Sequence, residues 1–363
     1  MTVDTTATPE FWTTGVASPR RVAGHAAAAE AAGWDGLVVV DSQNLSGDCY
    51  VALTMAAQAT ERLGLGTGVT NPVTRHPAVT AAAIGSVHAV SDGRAVLGIG
   101  RGDSALAHLG RAPASPAAFE HYVAVVQRYL AGDEVPFEEL GFSESAAPPV
   151  DTLALAHAPD ASQVAWLPGR RPKVPVEVAA TGPKVIAAAA RTADRVLLAL
   201  GADPERVAWG IETVRSARAE AGLDPAGVAI GSYVNVVAHP DISEARALAR
   251  GGLSTFARFS VMHGRVASPA GADETKVLEQ VHHDYDMTEH TRTGSAQADL
   301  LTDQFVDSMA IVGTPEHCVD RLSTLIGLGV GKLLFVGPSA GSDPAEAERS
   351  RHLVEQEVLP ALR

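Results

Sequence analysis

The chain has few cysteines, few aromatic residues and no basic cluster. Its 363 residues include only two cysteines, Cys49 and Cys318, and they form no CxxC pair. A disulfide framework is therefore not expected, and a reducing compartment is the expected setting. The net charge of −14 argues against nucleic acid or an anionic membrane surface as a partner. Neither a leader pattern at the N-terminus nor an apolar run of membrane-spanning length is found. These absences predict a soluble cytoplasmic protein.

Signatures of three common classes of site are also missing. No G-x-G-x-x-G turn follows the first predicted strand, which argues against an open dinucleotide-binding sheet. No GxSxG elbow is present, so a hydrolase triad has no support. A histidine-rich stretch lacks the pair spacing of a zinc site, so we predict no metal centre and place the stretch on the surface or in a lid. The residues of the stretch that would suggest a metal site are His282, His283, Asp284, Asp286 and His290.

Short apolar runs instead alternate with alanine-rich segments of helical spacing. The predicted strands are 11–17, 36–41, 63–70, 94–99, 174–180, 194–200, 228–237 and 331–336. The predicted helices are 19–33, 47–61, 77–90, 115–131, 182–192, 203–222, 241–258, 314–328 and 343–357. The predicted helix caps, each before a proline at or near the first turn, are Ser18-Pro19, Ser115-Pro116, Thr181-Gly182-Pro183 and Thr314-Pro315. Eight strand–helix units predict a single α/β domain, a (β/α)8 barrel spanning residues 1–363.

Two segments interrupt this alternation. Residues 132–173 are rich in proline and glutamate, and residues 259–306 are rich in glycine, histidine and aspartate. Neither carries a sustained periodicity. Loops of this length inside a compact domain are usually lids or subdomains at the functional face. We therefore predict two insertions that contact the substrate, the second of them mobile.

The stretch LGTGVTNPVTRHP, residues 65–77, has glycines where a buried strand favours β-branched side chains. Glycine weakens a strand unless a bulge, a bend or a close approach requires it. Strands 4 and 5 also end in glycines and small residues, and the C-terminal strand ends of a barrel carry its active site. Three neighbouring ends of this kind predict a flat ligand lying across them.

Four motifs resemble one family: GTGVTNPVTRHPAVTAAAI, GRAVLGIGRGDSAL, AATGPKVIAAAA and GTPEHCVDRL. Together they resemble the luciferase-like superfamily of (β/α)8 flavin and deazaflavin oxidoreductases. The branch that they resemble most contains the methylenetetrahydromethanopterin reductases, which use coenzyme F420. The resemblance spans roughly residues 10–236 and 308–340.

The resemblance implies coenzyme F420, or FMN as an alternative, on the ends of strands 2 to 5. In the family, strand 3 has a bulge with a non-proline cis peptide that supports the central cofactor ring, and the matching bond here is Gly68–Val69. Residues at a helix start after strand 5 suit a polar cofactor tail. The cofactor-binding residues implied are Asp41, Thr67, Gly68, Val69, Gly100, Arg101, Gly102, Asp103, Ala179, Ala180, Thr181, Gly182, Pro183 and Lys184.

Asp41 and Asp103 are the catalytic candidates that the resemblance implies. Asp41 matches an acidic residue beside the cofactor, and its alternative role is to cap the helix that starts near residue 47. Asp103 matches an acidic residue of the strand-4 loop, where a carboxyl group can exchange a proton during hydride transfer. Its alternative is an ion pair with Arg101.

The candidate substrate-binding residues lie on two neighbouring loops, and they are Ser42, Gln43, Arg75 and His76. Ser42 stands where the sugar-phosphate dehydrogenases of the family have a histidine, which points away from their substrates. Arg75 suits an anionic group, whereas a histidine at a helix start is more often packed.

The function implied is an F420-dependent oxidoreductase that transfers a hydride between reduced coenzyme and a small organic substrate. The first alternative is an FMN-dependent monooxygenase, and the second is a relative that binds a flavin without turnover. A homodimer is expected. The identity of the cofactor would separate the first two, because a deazaflavin hardly reacts with oxygen.

Overall fold

The computed structural model describes residues 8–143, 145–167, 172–262, 264–266 and 268–363. Within these residues, eight parallel strands close into a barrel in the order β1-β2-β3-β4-β5-β6-β7-β9, with β9 pairing back to β1. A ninth strand, β8, pairs with the C-terminal end of β7. The strands are β1 Glu10–Gly15, β2 Gly36–Val39, β3 Gly64–Thr67, β4 Ala95–Ile99, β5 Val176–Ala180, β6 Arg195–Leu198, β7 Ala229–Ala238, β8 Ile311–Gly313 and β9 Lys332–Val336.

Helices surround the barrel and fill the second insertion. They are α1 Val22–Ala31, α2 Cys49–Gln58, α3 Pro77–Val90, α4 Ser104–Ala107, α5 Pro116–Ala131, α6 Pro183–Thr192, α7 Pro204–Glu220, α8 Ile242–Ser260, α9 Ala272–Asp284, α10 Ala296–Asp299, α11 Asp303–Met309, α12 Pro315–Gly327, α13 Pro344–Leu353 and α14 Leu359–Ala361. Short 3₁₀ turns occur at Phe137–Glu139, Val150–Leu153 and Met287–Glu289, and a π turn at Val354–Val358. No helix of the described chain is long and apolar enough to cross a membrane.

The eight predicted strands form the eight-stranded barrel, so the predicted fold is confirmed. Strand β8 was not predicted. The side chains of Ser115 and Thr314 accept hydrogen bonds from the first turns of α5 and α12, as predicted. The prediction for Ser18 is wrong, because α1 begins only at Val22 and its N-cap is Arg21.

The first insertion, 132–173, connects α5 to β5, so it leaves the barrel at the end opposite the C-terminal strand ends. Its return portion packs on the outer face of α3, where a Cβ on Gly85 would lie 2.7 Å from Leu167. Phe142 reaches back to the strand-3 exit and stacks on His76, with ring centroids 4.5 Å apart. The described part of this insertion is therefore mainly an outer wall, and only its tip reaches the predicted functional face.

The second insertion, 259–306, is not the unpatterned loop that the sequence suggested. It contains the 13-residue helix α9 and the shorter α10, and α11 begins near its end. Leu278 of α9 and Phe305 of α11 are buried with Leu253 of α8 in a core of their own. The segment is therefore a helical subdomain attached to the barrel through α8.

The glycines near the start of the barrel make room for the indole of Trp12, which lies inside it. A Cβ on Gly36 would lie 2.3 Å from this indole, and one on Gly64 would lie 2.6 Å from it. A Cβ on Gly68 would lie 2.4 Å from Val38. Side chains of β1 and β2 therefore approach the backbone of β3 closely at its glycines. These contacts explain the glycines without a ligand.

Replacing Gly36 with alanine should destabilise the fold by about 1–3 kcal/mol, because the new methyl group overlaps the Trp12 ring inside a packed core. Gly24 of α1 is the matched control, since a Cβ there meets nothing within 4 Å. Gly24→Ala should stabilise the protein by up to about 1 kcal/mol through helix propensity. Urea unfolding of both variants measures the difference, and equal free energies of unfolding would contradict this packing.

Candidate active site

Strand β3 ends in a bulge. Gly66 pairs with Val96 of β4, but Thr70 pairs with Ile99, so one extra residue of β3 lies between the two pairs. The Gly68–Val69 peptide bond inside the bulge is cis, as the resemblance implied. The bulge directs Val69 toward the interior cluster that contains Trp12 and Val38. The backbone feature expected beneath a flat cofactor is therefore present.

The strand-4 loop is fitted to this bulge. A Cβ on Gly98 would lie 2.1 Å from the carbonyl oxygen of Thr67, and one on Gly100 would lie 3.0 Å from Val69. The Thr67 hydroxyl donates to the Gly98 carbonyl at 2.6 Å. Gly102 has a φ of +85°, in the region that favours glycine. These contacts fix the backbone that leads to Asp103.

Asp41 is buried at the end of β2 and belongs to an ion-pair cluster. Its Oδ2 accepts from the Thr70 hydroxyl at 2.7 Å and from Arg75 Nη1 at 2.5 Å. The second nitrogen of Arg75 binds Asp48 at 2.9 Å. Burial lowers the pKa of Arg75, but the hydrogen bond and the charge of Asp41 outweigh burial and raise that pKa above its ordinary value.

The helix-cap alternative for Asp41 is wrong, because the side chain of Asp48 accepts the hydrogen bonds from the first turn of α2. Arg75 was predicted to meet an anionic substrate, but these two carboxylates already bind its two terminal nitrogens. The structure brings Asp41 and Arg75 together as partners, a pairing that the sequence did not indicate.

The other predicted substrate-binding residues have partners of their own. Gln43 donates to the carbonyl of Ala105 at 2.8 Å, and the Ser42 hydroxyl lies 3.3 Å from that of Ser104. Both therefore join the strand-2 loop to the strand-4 loop. His76 caps α3, with its Nδ1 accepting from Ala78 N at 3.2 Å. Burial lowers the pKa of His76, so its ring is neutral at neutral pH.

Asp103 is joined to α8, the helix that leads into the second insertion. Its Oδ1 accepts from Arg258 near the end of α8, and the two side chains are only 11% and 20% exposed. Its Oδ2 is buried and has no hydrogen-bond partner among the described residues. Arg101, the alternative partner, donates through Nε to the carbonyl of Ala114. The strand-4 loop therefore contacts a helix 155 positions further along the chain.

Helix α8 crosses the mouth of the barrel. Phe256 lies in the interior cluster with Trp12 and Tyr233, and Phe259 packs against the same cluster. Ala179, at the end of β5, and Val69 also pack there. An aromatic pair from α8 therefore faces the strand ends on which the flat ligand was predicted.

Two further residues of the second insertion reach this place. Arg258 lies over the ring of Tyr285, 5.0 Å from its centroid, and the Tyr285 hydroxyl is 2.7 Å from His290 Nδ1. Burial raises the pKa of Tyr285 to about 12 and lowers the pKa of His290, so both are neutral at neutral pH. Sequence reasoning missed Arg258 and Tyr285 entirely and assigned His290 to the surface or a lid.

The start of α6 after β5 is open. Its N-cap Gly182 gives no side-chain hydrogen bond, Pro183 occupies the first turn, and Lys184 is exposed. The Thr181 hydroxyl donates to the carbonyl of Ala199 at 3.3 Å, and Ala180 is buried. Within the described chain Lys184 forms no ion pair, so its charge is available to a ligand.

The histidine-rich stretch does not form a metal centre. His282, His283, Asp284 and Asp286 are exposed, and His283 pairs with the neighbouring Asp284 at 2.7 Å. Across the described residues, no group of three or more histidine, cysteine, aspartate or glutamate side chains is arranged to hold a metal ion.

The closed parallel barrel, the cis-peptide bulge at the end of β3 and the buried Asp41 form the arrangement that the resemblance to the luciferase-like oxidoreductases implied. The sequence model of the family described as luciferase-like monooxygenase matches residues 1–332. The chain therefore belongs to this family, and the predicted family and enzyme class are confirmed.

Relatives and solved structures agree with this placement. A 5,10-methylenetetrahydromethanopterin reductase of Methanolobus tindarius is 28% identical over 350 residues, which cover 93% of this chain and 95% of the relative. The coenzyme F420-dependent tetrahydromethanopterin reductase of Methanopyrus kandleri matches with a TM-score of 0.73 at 21% identity, covering 98% of this chain and 100% of that chain. An F420-dependent secondary alcohol dehydrogenase, solved with an F420–acetone adduct, matches with a TM-score of 0.69 at 18% identity. The match covers 98% of this chain and 99% of that chain.

Proposed function

We propose that this protein is an F420-dependent oxidoreductase that transfers a hydride between reduced coenzyme and a small organic substrate. The observation that carries the proposal is the similarity, over more than nine-tenths of both chains, to a methylenetetrahydromethanopterin reductase. We further propose that the whole chain forms one barrel domain and that a pterin-type compound is its substrate.

The residues at the barrel mouth fit a polar, flat coenzyme. Three buried polar atoms there have no hydrogen-bond partner among the described residues: Asn71 Nδ2, Asp103 Oδ2 and Asn235 Nδ2. Unpaired buried polar groups are costly, so a site that leaves several together is suited to a ligand that pairs with them. The heterocyclic ring of the coenzyme carries both donors and acceptors.

When bound, the deazaflavin supplies the hydride chemistry. In this proposal the Gly68–Val69 bulge supports the ring, and Asp41 with Thr70 holds the adjacent strand end. The start of α6 with Lys184 binds the anionic tail of the coenzyme. Asp103 contacts the substrate through its unpartnered Oδ2, and its carboxylate is the group that exchanges a proton across that contact.

The test is turnover without oxygen. We expect reduced coenzyme F420 to be oxidised when 5,10-methylenetetrahydromethanopterin is added under anaerobic conditions, and to be stable in air without an acceptor. Absorbance of the oxidised coenzyme follows the reaction. Oxidation that requires oxygen would refute hydride transfer to an organic acceptor.

An FMN-dependent monooxygenase is the second candidate, and the description of the matching family favours it. It predicts oxygen uptake with reduced FMN and an added substrate, which an oxygen electrode measures. A relative that binds a flavin without turnover would give neither reaction.

Replacing Lys184 with alanine should weaken coenzyme binding at least about tenfold, because a hydrogen bond to a charged group is worth about 1.5–3 kcal/mol. The melting temperature should not fall, since a lysine in the first turn opposes the helix dipole. Lys276→Ala, at an exposed position of α9, is the matched control. Unchanged affinity in the Lys184 variant would show that the lysine is only a surface charge.

We also propose a homodimer that forms through α2 and α3. These two helices contain no aspartate, glutamate, lysine or arginine, although both lie on the outside of the barrel. Val51 and Met55 of α2 and Val79 and Val90 of α3 are exposed. A large exposed apolar patch usually marks an interaction surface, and a twofold pair of identical copies is the commonest solution.

Val79→Asp should therefore raise the dimer dissociation constant at least about tenfold, because a charge would be buried between the copies without a partner. Leu223→Asp, which places a charge at an exposed site beyond α7, should leave it unchanged. Sedimentation equilibrium measures both. A Val79 variant that dimerises like the unmodified protein would exclude this face.

A further inference from the structure

The unassigned feature nearest to the site is the arch of the second insertion, residues 285–293. One end of the arch, Tyr285, supports Arg258. The other end is tied to the loop after β9, where Thr293 N donates to the Ala340 carbonyl at 2.9 Å. A Cβ on Gly251 of α8 would lie 2.5 Å from the backbone of Arg292, so the arch packs closely on that helix. The arch therefore spans from the strand-4 side of the mouth to the strand-9 side.

Beside the arch, the strand-4 loop and α8 place one acceptor next to one donor. Asp103 Oδ2 has no partner among the described residues and can accept a hydrogen bond. Arg258 uses Nη1 for Asp103, and its fork carries further N–H groups on a side chain that is one-fifth exposed. A fixed guanidinium fork next to a carboxylate recognises a ligand whose N–H and C=O groups lie side by side.

The surroundings favour a flat ring over a flexible chain. Phe256 and Phe259 flank Arg258 in the sequence and pack at the barrel mouth, with their ring centroids 5.7 Å apart. His108 Nε2 is buried nearby and has no partner among the described residues. Burial lowers the pKa of His290, Asp103 raises it, and Arg258 and His108 lower it further, so these side chains are within electrostatic range of that ring. Aromatic walls with a few convergent polar atoms are typical of sites for planar heterocycles.

We propose that Asp103 and Arg258 act as one unit that binds the substrate through a cyclic amide edge, as in a pterin, and that Tyr285 and His290 are positioning residues. The ring of Tyr285 supports the guanidinium, and the 2.7 Å hydrogen bond to His290 holds that ring in place. Thr255 of α8, whose hydroxyl lies 3.3 Å from that of Tyr285, is the second support. This inference rests on the proposed function, because it assigns the substrate side of the same site.

Equilibrium dialysis of 6-methylpterin against the coenzyme-loaded protein tests the proposal without measuring turnover. We expect saturable binding that weakens at least tenfold when the pterin is methylated on N3, which removes the donor of the edge. Arg258→Gln and Asp103→Asn should each weaken binding at least tenfold, and Arg258→Lys should recover part of the loss. Arg215→Gln, on the exposed face of α7, should have no effect.

The positioning role is tested by Tyr285→Phe and His290→Gln. Tyr285→Phe keeps the ring and removes only a hydroxyl, so it remains informative if a change to Arg258 prevents folding. We expect Tyr285→Phe to weaken pterin binding about threefold to tenfold and to leave the affinity for coenzyme F420 unchanged.

Absence of pterin binding, equal binding of the N3-methylated probe, or full binding by both the Arg258 and Asp103 variants would overturn the proposal. The affinity for coenzyme F420, measured alongside, separates the two hypotheses. Coenzyme binding without pterin binding contradicts this inference and the proposed pterin substrate but leaves F420-dependent hydride transfer standing, whereas loss of both contradicts the proposed function.

Discussion

Replacing Asp103 with asparagine should lower turnover at least about a hundredfold while the coenzyme still binds. Asparagine keeps the shape and one carbonyl oxygen for Arg258, but it cannot exchange a proton, and general acid–base catalysis is typically worth about 10²–10⁴-fold in rate. Because Arg258 loses its counter-charge in a mostly buried pair, we also expect the melting temperature to fall by a few degrees. Steady-state kinetics with reduced coenzyme F420 measure the first effect, and thermal unfolding measures the second.

Asp48→Asn is the control for a lost carboxylate elsewhere at the mouth. Asp48 also pairs with an arginine, Arg75, but its side chain is half exposed and its pair lies on the strand-2 side. This variant should keep at least about a tenth of the turnover. If Asp103→Asn retained normal turnover and only melted earlier, the aspartate would be structural.

Replacing Glu177 with glutamine should cost about 3–5 kcal/mol of unfolding free energy, the largest effect on stability that we expect. Lys332 is completely buried at the start of β9, and its Nζ lies 2.7 and 3.0 Å from the two oxygens of Glu177. The same ammonium lies 3.3 Å from the centroid of Trp12. Without Glu177, this charge would remain buried and lose its nearest counter-charge. Burial already lowers the pKa of Lys332.

The paired variant Glu177→Gln with Lys332→Met should recover much of the loss, because it removes both charges together. Glu120→Gln is the matched control, since Glu120 pairs with Arg191 at 2.8 Å on the surface and should contribute at most about 1 kcal/mol. Urea unfolding compares the three variants. A Glu177 variant no less stable than the Glu120 variant would show that the buried pair does not hold the barrel together.

The alternation of short apolar runs with helical segments was enough to predict the barrel, because each parallel strand is buried on both faces and reads as a continuous apolar run. Strand β8 escaped prediction because Ile311–Gly313 is too short for any periodicity. Helix α9 escaped because ADETKVLEQVHHD is mostly polar, and only residues such as Val277, Leu278 and Val281 are buried. It packs with α8 in a core separate from that of the barrel, and the barrel pattern gives no guidance there.

The candidate site was predictable in its backbone and much less in its side-chain partners. The cis bond at Gly68–Val69 followed from the motif resemblance, but the glycines of β3 are explained by Trp12 and Val38. The pairing of Asp103 with Arg258 joins residues 155 positions apart, and one sequence contains no signal for such a contact. Lys332 and Glu177 did leave a signal, since each is a lone charge in an apolar strand. Only the register of the closed barrel identifies them as partners.

Competition between coenzyme F420 and FMN for the purified protein decides which of the two cofactors it uses. Quenching of tryptophan fluorescence, titrated with each compound and then with one against the other, gives both affinities. We expect coenzyme F420 to bind at least about a hundredfold more tightly, and Lys184→Ala to weaken the binding of F420, whose anionic tail should lie at α6. Equal or tighter binding of FMN would contradict F420-dependent hydride transfer and favour the monooxygenase.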